Sequence, residues 1–439
     1  MPLPDTYALV DLPESRRDEL LEIDRWAFPS STSEEDAKKL PLPLSWDRTH
    51  GVVVQTPDPT AVPIDGAVPV RETLVAIHSS YPFSHFPVPG AEIPVSGLTW
   101  VGVHPQHRRR GILSAMIDQH FADCLERGEA VSALTAAEAG IYGRFGYGPA
   151  AHDLRLTVPR GATLRPVPGS EDLTVRIETL DPAVHGETVH DLHLRAGRQP
   201  TAATGINRPG WATRETDELK TVFLDDPAAL RNGREALRIV IVESDGEPRG
   251  YTTFRRKVDW AHTGPRGTVS AGEVVALDPA ATHRLWSTIL DLDLTHEIEP
   301  FMIPVDDAIT SLLVDPRAAA PRLADNVWVR LVDVPGALAA RRYTADLDVV
   351  LHVTDARLPA NQGSWRLTAT AFGEATVTRT EDAPDLSLSV AELGTAYLGG
   401  TSLAALATAG RVEEHTDGAL LRTASAFGWP VAPVCSWIF

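Results

Sequence analysis

Cysteine occurs only twice in 439 residues, at Cys124 and Cys435, so neither a disulfide framework nor a CxxC metal site is available and both read as structural thiols. Lysine is scarcer than arginine by an order of magnitude, at four positions among 40 basic residues. Against these stand 59 acidic residues, giving a formal charge of −19, which excludes nucleic acid as a partner for the surface as a whole and favours cationic amines. No stretch reaches the ~18 to 20 unbroken apolar residues that span a membrane. The opening MPLPDTYALVDLPESRRDE places acids and prolines where a secretory signal needs a basic end and an apolar run, so the expected location is the cytoplasm. Repetitive tracts are missing as well. With 43% apolar residues this describes a soluble globular chain, and its length predicts two or three units of ~100 to 200 residues each.

What is present begins as mixed α/β. Leu20 to Phe28 has helical spacing, Gly51 to Gln55 and Thr73 to His78 read as strands, and the Pro/Gly-rich Tyr81 to Gly90 reads as a loop. Val95 to Val103 is a strand ending at His104-Pro105, followed by a helix from Gly111 to Arg127, an apolar run Ala130 to Leu134 and a short Gly-bounded helix at Gly140 to Phe145. The order echoes later. Ile239 to Glu243, Tyr251 to Arg255 and Glu273 to Pro279 repeat the strands, and VVALDP resembles WVGVHP before a helix at His283 to Leu292. After the second proline the arginines and glycine are gone, which predicts a second copy unable to hold a cofactor. From Phe301 the pattern becomes α+β, with strands at Trp328 to Val334, Leu347 to Thr354, Trp365 to Ala371 and Leu386 to Val390. Short helices are expected at Val334 to Ala340 and Leu403 to Ala407.

The chemistry lies in HPQHRRRGILSAM, His104 to Met116, directly after a strand. A turn opening a helix offers unpaired N–H groups and the positive end of the helix dipole to a pyrophosphate. Gly111 removes the Cβ that would keep the phosphates away, and Arg108, Arg109 and Arg110 add positive charge. A second element, AEAGIYGRFGYG from Ala137 to Gly148, carries Tyr142, whose hydroxyl suits protonation of a departing thiolate.

The pair R-R-R-G-I-L and I-Y-G-R-F-G-Y-G resembles the phosphate-binding and tyrosine motifs of the GNAT N-acetyltransferases, and in this form is similar to the Eis (enhanced intracellular survival) family. The likeness runs through W-V-R-L-V-D-V-P-G-A-L-A-A-R, A-Y-L-G-G and the final phenylalanine; Leu113, where the wider superfamily has Gly or Ala, is usual for Eis-like chains. It implies tandem GNAT domains followed by a sterol-carrier-protein-like domain, divided as 1–158, 159–300 and 301–439, the second GNAT domain degenerate. It further implies acetyl-CoA as co-substrate, no metal, and a hexamer. By the same resemblance Val101, Gly102 and Val103 hold the pantetheine, Arg108, Arg109, Arg110, Gly111, Ile112, Leu113 and Ser114 wrap the pyrophosphate, and Ala137 and Glu138 contact the cofactor. Tyr142 is the implied general acid, and the α-carboxylate of Phe439 the general base, consistent with a chain end, VAPVCSWIF, too apolar for a solvated tail.

Trp26, Phe28 and Trp100 are assigned by the resemblance to the walls of the amine pocket. The implied reaction is direct acetyl transfer to primary amines of polycationic molecules such as aminoglycosides. The rival expectations are a protein lysine acetyltransferase and a non-catalytic binder of apolar ligands. His185, His190 and His193 lie on one expected helix without a third ligand type and are read as exposed helix histidines, not as a metal site.

Overall fold

The computed structural model describes residues 3–30, 32–57, 70–198 and 206–439. The chain divides into two units, one of residues 1–82, 94–134 and Phe439, the other of residues 83–93 and 135–438.

In the first unit β1 (Tyr7–Asp11), β2 (His50–Pro57), β3 (Val70–Val88), β4 (Ala91–Val103) and β5 (Val131–Thr135) lie side by side in that order. β1 to β3 pair antiparallel, whereas β4 and β5 are parallel, as their connection through a helix requires. α1 (Arg17–Ala27) buries Leu20, Leu21 and Ile23, and α2 (Glu34–Lys39) follows it. α3 (Ile112–Glu126) crosses from β4 to β5 and buries Ile112, Met116, Ile117 and Phe121 at helical spacing.

The loop expected at Tyr81 to Gly90 is instead the end of β3, and only Gly90, at φ +69°, turns the chain. Proline's fixed φ is compatible with an extended chain whose N–H groups are satisfied outside a ladder. Here Glu215 supplies that satisfaction, accepting from the Ser84 and His85 N–H groups at 2.9 Å each.

The second unit opens with short strands β6 (Gly148–Pro149), β7 (His152–Arg155) and β8 (Val158–Pro159). It then repeats the plan. β9 (Thr174–Thr179), α4 (Pro182–Arg198), α5 (Asp217–Leu224), β10 (Arg238–Ser244) and β11 (Glu247–Lys257) precede a two-rung hairpin, β12 (Trp260–Ala261) and β13 (Gly264–Pro265). β14 (Gly267–Ala276), α6 (Pro279–Leu290) and β15 (Thr295–Pro300) complete a six-stranded sheet ordered β8-β15-β14-β11-β10-β9, in which β14 and β15 are again parallel. The echo read in the sequence is therefore a second strand-helix-strand crossover of the same kind.

The three histidines of α4 are not the exposed set expected. His185 and His193 are buried, because with Val189, Leu192 and Ala196 they fall on the helix face turned to the core. His185 bonds Glu178 at 2.9 Å, and His193 packs on the Trp211 ring at 4.8 Å. No group of three or more His, Cys, Asp or Glu among the described residues is arranged to hold a metal. No described helix is long and apolar enough to cross a membrane.

The remainder is α+β. After β16 (Ile303–Pro304), α7 (Ile309–Leu312), β17 (Arg322–Asp325), β18 (Val327–Leu331) and α8 (Val334–Ala340), a five-stranded sheet runs β21-β20-β19-β22-β23. Its strands are β19 (Leu347–Thr354), β20 (Gly363–Ala369), β21 (Ala375–Arg379), β22 (Leu386–Ser389) and β23 (Val412–Glu414), with α9 (Val390–Tyr397), α10 (Leu403–Thr408) and α11 (Ala419–Phe427) on the same stretch.

Candidate active site

β4 pairs with β5 only from Val95↔Val131 to Gly97↔Ala133, and no pairing between them is found beyond it. The backbone of Trp100 to Val103 is thus released on that side, which is what an extended amide-bearing ligand needs in order to add itself to a strand. Trp100 adopts φ +54°, a left-handed conformation costing a non-glycine residue roughly 1–2 kcal/mol. That bulge breaks the in-out alternation, leaving Val101 and Val103 half-buried and Gly102 buried. A Cβ on Gly102 would come within 2.9 Å of the Ala27 methyl, so glycine lets α1 lie against this strand.

The turn after β4 contains two left-handed residues, Arg109 at φ +63° and Gly111 at φ +83°. No side chain caps α3, whose first N–H groups have no intrahelical partner. An uncapped helix start entered through glycine is a fit for a pyrophosphate. Arg108, Arg109 and Arg110 are exposed, and none forms an ion pair among the described residues. Arg110 is steadied by donating to the Tyr7 hydroxyl at 2.9 Å, and that oxygen is also 2.9 Å from His107 Nδ1. Arg108 reaches back to the Val103 carbonyl at 3.4 Å. Ile112 anchors the helix in the core, while Leu113 and Ser114 remain half-buried at its first turn.

Trp26 is 52% exposed at the end of α1, with its indole donating to Glu22 at 2.9 Å and its ring edge-on to His104 at 4.9 Å. Phe28 is exposed next to it. Asp24, one turn earlier, has no cation partner among the described residues, and burial pushes its carboxyl up to about 6. The sequence reading passed over Asp24, since a lone acid inside a polar stretch carries no signal until the helix buries it. It also missed Tyr81, which is buried, hydrogen-bonded to the Trp100 side chain and edge-on to the Phe439 ring at 6.4 Å. Phe439 itself is 9% exposed and groups with the first unit. The apolar end of the chain is docked, not frayed.

Ala137, Glu138 and Tyr142 belong to the second unit. The expected short helix is a single 3₁₀ turn, Tyr142–Phe145, closed by Gly146 at φ +85°. Burial pushes the Tyr142 hydroxyl up to about 12, and the nearby Glu138 carboxylate adds to the shift. The ring lies edge-on to Tyr147 at 6.0 Å. The glycines behind it answer to packing: a Cβ at Gly146 would approach Val390 at 2.9 Å, and one at Gly148 would overlap the Ala391 carbonyl of α9. Ala137 and Glu138 are exposed in the preceding turn.

Comparison with known proteins identifies the domains. An acetyltransferase (GNAT) domain model matches residues 11–150, a second acetyltransferase (GNAT) model matches 210–331, and a sterol carrier protein domain model matches 334–436. An uncharacterized N-acetyltransferase of Streptomyces avermitilis is 44% identical over 78% of this chain and 81% of its own. N-acetyltransferase Eis of Mycobacterium tuberculosis is 32% identical over 84% of this chain and 88% of its own. The crystal structure of Eis1 from Mycobacterium abscessus superposes with a TM-score of 0.77 at 30% identity, covering 99% of this chain and all of that one. Two GNAT domains followed by a sterol-carrier domain, and this degree of identity along most of the chain, make it an N-acetyltransferase of the Eis family.

Proposed function

We propose that the chain transfers the acetyl group of acetyl-CoA directly to a primary amine of a polycationic small molecule such as an aminoglycoside. The observation that carries this reading is the burial of Phe439 within the unit that bears the cofactor cradle. Val101, Gly102 and Val103 hold the pantetheine by their backbone, Arg108 to Ser114 wrap the pyrophosphate, and Ala137 and Glu138 complete the cofactor contacts. Trp26, Phe28 and Trp100 offer aromatic walls to an amine, and the −19 charge of the chain draws cations toward it.

The chemistry needs two proton transfers. The Phe439 carboxylate, ionised near pH 7, accepts a proton from the ammonium directly or through water. The freed amine forms the C–N bond at the acetyl carbon as the C–S bond breaks, and Tyr142 donates its proton to the departing thiolate. The −19 charge is also what favours small polycations over the alternatives. We further assign the boundaries after residues 158 and 300, a central domain without its own cofactor site, a hexameric assembly and a cytoplasmic setting to this enzyme.

Coenzyme A release measured with an aminoglycoside, a polyamine and a lysine peptide tests the acceptor; turnover with the peptide alone would replace this reading with protein acetylation. Extending the chain by one residue past Phe439 tests the base. A loss of kcat is expected, and full activity in that variant removes the carboxylate from the mechanism.

A further inference from the structure

Within the second unit lies a cavity of ≈ 590 Å³, inside the range of small-molecule sites. It opens where β14 and β15 part. Their parallel pairing ends at Ala271↔Pro300, and the next residues along, Gly272 and Phe301, line it. This is the same point of the strand-helix-strand plan at which β4 leaves β5 in the catalytic domain. The helix that follows is different. Asp278 caps α6 by accepting the Ala281 N–H at 2.8 Å, and Arg249 holds that carboxylate at 2.8 Å. The chain's own anion therefore fills the position a pyrophosphate would take, while the pocket at the strand fork has been kept.

Its lining has a definite chemistry. Arg234 lines it and forms no ion pair among the described residues, nor does Arg322 beside it, whereas Arg255 is held by Asp226 at 2.6 Å. A guanidinium in a cavity wall with no carboxylate partner offers its N–H fork to an anionic oxygen. Three carboxylates share the lining, Glu273, which is engaged by the Tyr251 hydroxyl at 2.6 Å and by Arg214, and the exposed Asp225 and Glu299, none of which is paired with Arg234. Phe223, Phe301 and Trp437 add flat apolar walls, with Phe223 and Trp437 edge-on at 4.9 Å. We propose that the degenerate domain is a receptor for a small aromatic carboxylate, its acid held by Arg234 and its ring among these aromatics.

Calorimetry and ligand-observed NMR on the full chain with benzoate, benzamide and benzylamine test this. Benzoate is expected to bind, benzamide at least tenfold more weakly and benzylamine not at all. Arg234→Met and Phe301→Ala should each weaken benzoate at least tenfold while circular dichroism stays unchanged; if Arg234→Met fails to fold, the exposed Phe301→Ala decides. Absence of benzoate binding, equal binding of benzylamine, or wild-type affinity in the folded variants would overturn the proposal.

Discussion

Acidification should unfold the catalytic domain before its surface charge alone would. Two histidines, His78 on β3 and His120 on α3, are buried, and burial holds both well below their usual range, His120 at about 3. Neither ring nitrogen of His78 has a hydrogen-bond partner among the described residues, while His120 shares a 2.7 Å hydrogen bond with Ser132 and lies 3.6 Å from Cys124 Sγ. The unfolded chain takes up protons near pH 6.5 that the folded one refuses, so this stability is complete above 6.5 and is lost as the pH falls below it. Each group costs roughly 1.4 kcal/mol for every pH unit in that range, so two cost roughly 3 kcal/mol at pH 5.5.

His50 opposes them in part. It stacks on His78 at 5.2 Å, bonds Asp123 at 3.1 Å and Asp11 at 3.2 Å, and has its pKa raised, first by the Asp123 bond. Its stabilisation is therefore complete below 6.5 and is lost as the pH rises through its folded value. Arg127 and Arg48 act with burial in lowering His120, Arg48 being paired with Glu129 at 2.7 Å. Urea titration followed by hydrogen exchange of β2, β3 and α3 at pH 7.5, 6.5 and 5.5 reads the effect. His78→Leu, which deletes an unsatisfied polar ring, should be near neutral at pH 7.5 and flatten the slope by about 1.4 kcal/mol per unit. An unchanged slope in that variant refutes the reasoning.

Three further outcomes follow from the site. Tyr142→Phe should lower kcat by about a hundred- to ten-thousand-fold; because the Tyr142 hydroxyl sits near 12, the wild-type rate should show no alkaline fall up to about pH 10, and a limb near 9 that vanishes in the variant contradicts the assignment. Gly111→Ala forces a methyl-bearing residue to φ +83°, which costs roughly 1–2 kcal/mol, and should raise KM for acetyl-CoA more than it lowers kcat; unchanged kinetics would remove the cradle from that turn. Asp24, pushed up to about 6, becomes charged above that pH, so KM for a polyamine should fall as the pH rises through 6, and Asp24→Asn should abolish the change.

How much of this was legible in the sequence depends on the range of the interaction involved. α3 and β4 were, because apolar period, proline and glycine all act within a few residues and agree. β3 beyond Tyr81 was not: its prolines signal a loop, and what keeps the chain extended is a carboxylate from Glu215, over a hundred residues away. The histidines of α4 were misjudged for the same reason, since a polar residue on the apolar face is recognisable as buried only once its partners, Glu178 and Trp211, are known. In the site, Gly111 announced itself through its neighbours. Gly148 did not, because the crowding that demands it comes from α9, whose position no local pattern encodes.

The two copies of the crossover make the same point about function. α3 and α6 each follow a strand, and each leaves N–H groups that must find an acceptor. In α6 the residue before Pro279 is Asp278, so the requirement is met internally and the helix start is closed with a fixed negative charge. In α3 the chain places Gly111 there and three arginines before it, leaving donors and positive charge together with no capping side chain among the described residues. An external dianion is drawn to the second arrangement, whereas in the first the end is already taken by a carboxylate paired with Arg249. One side chain at a helix start thus separates a helix end closed from within from one left open to an external anion. The strand fork, which depends on backbone pairing alone, survives in both.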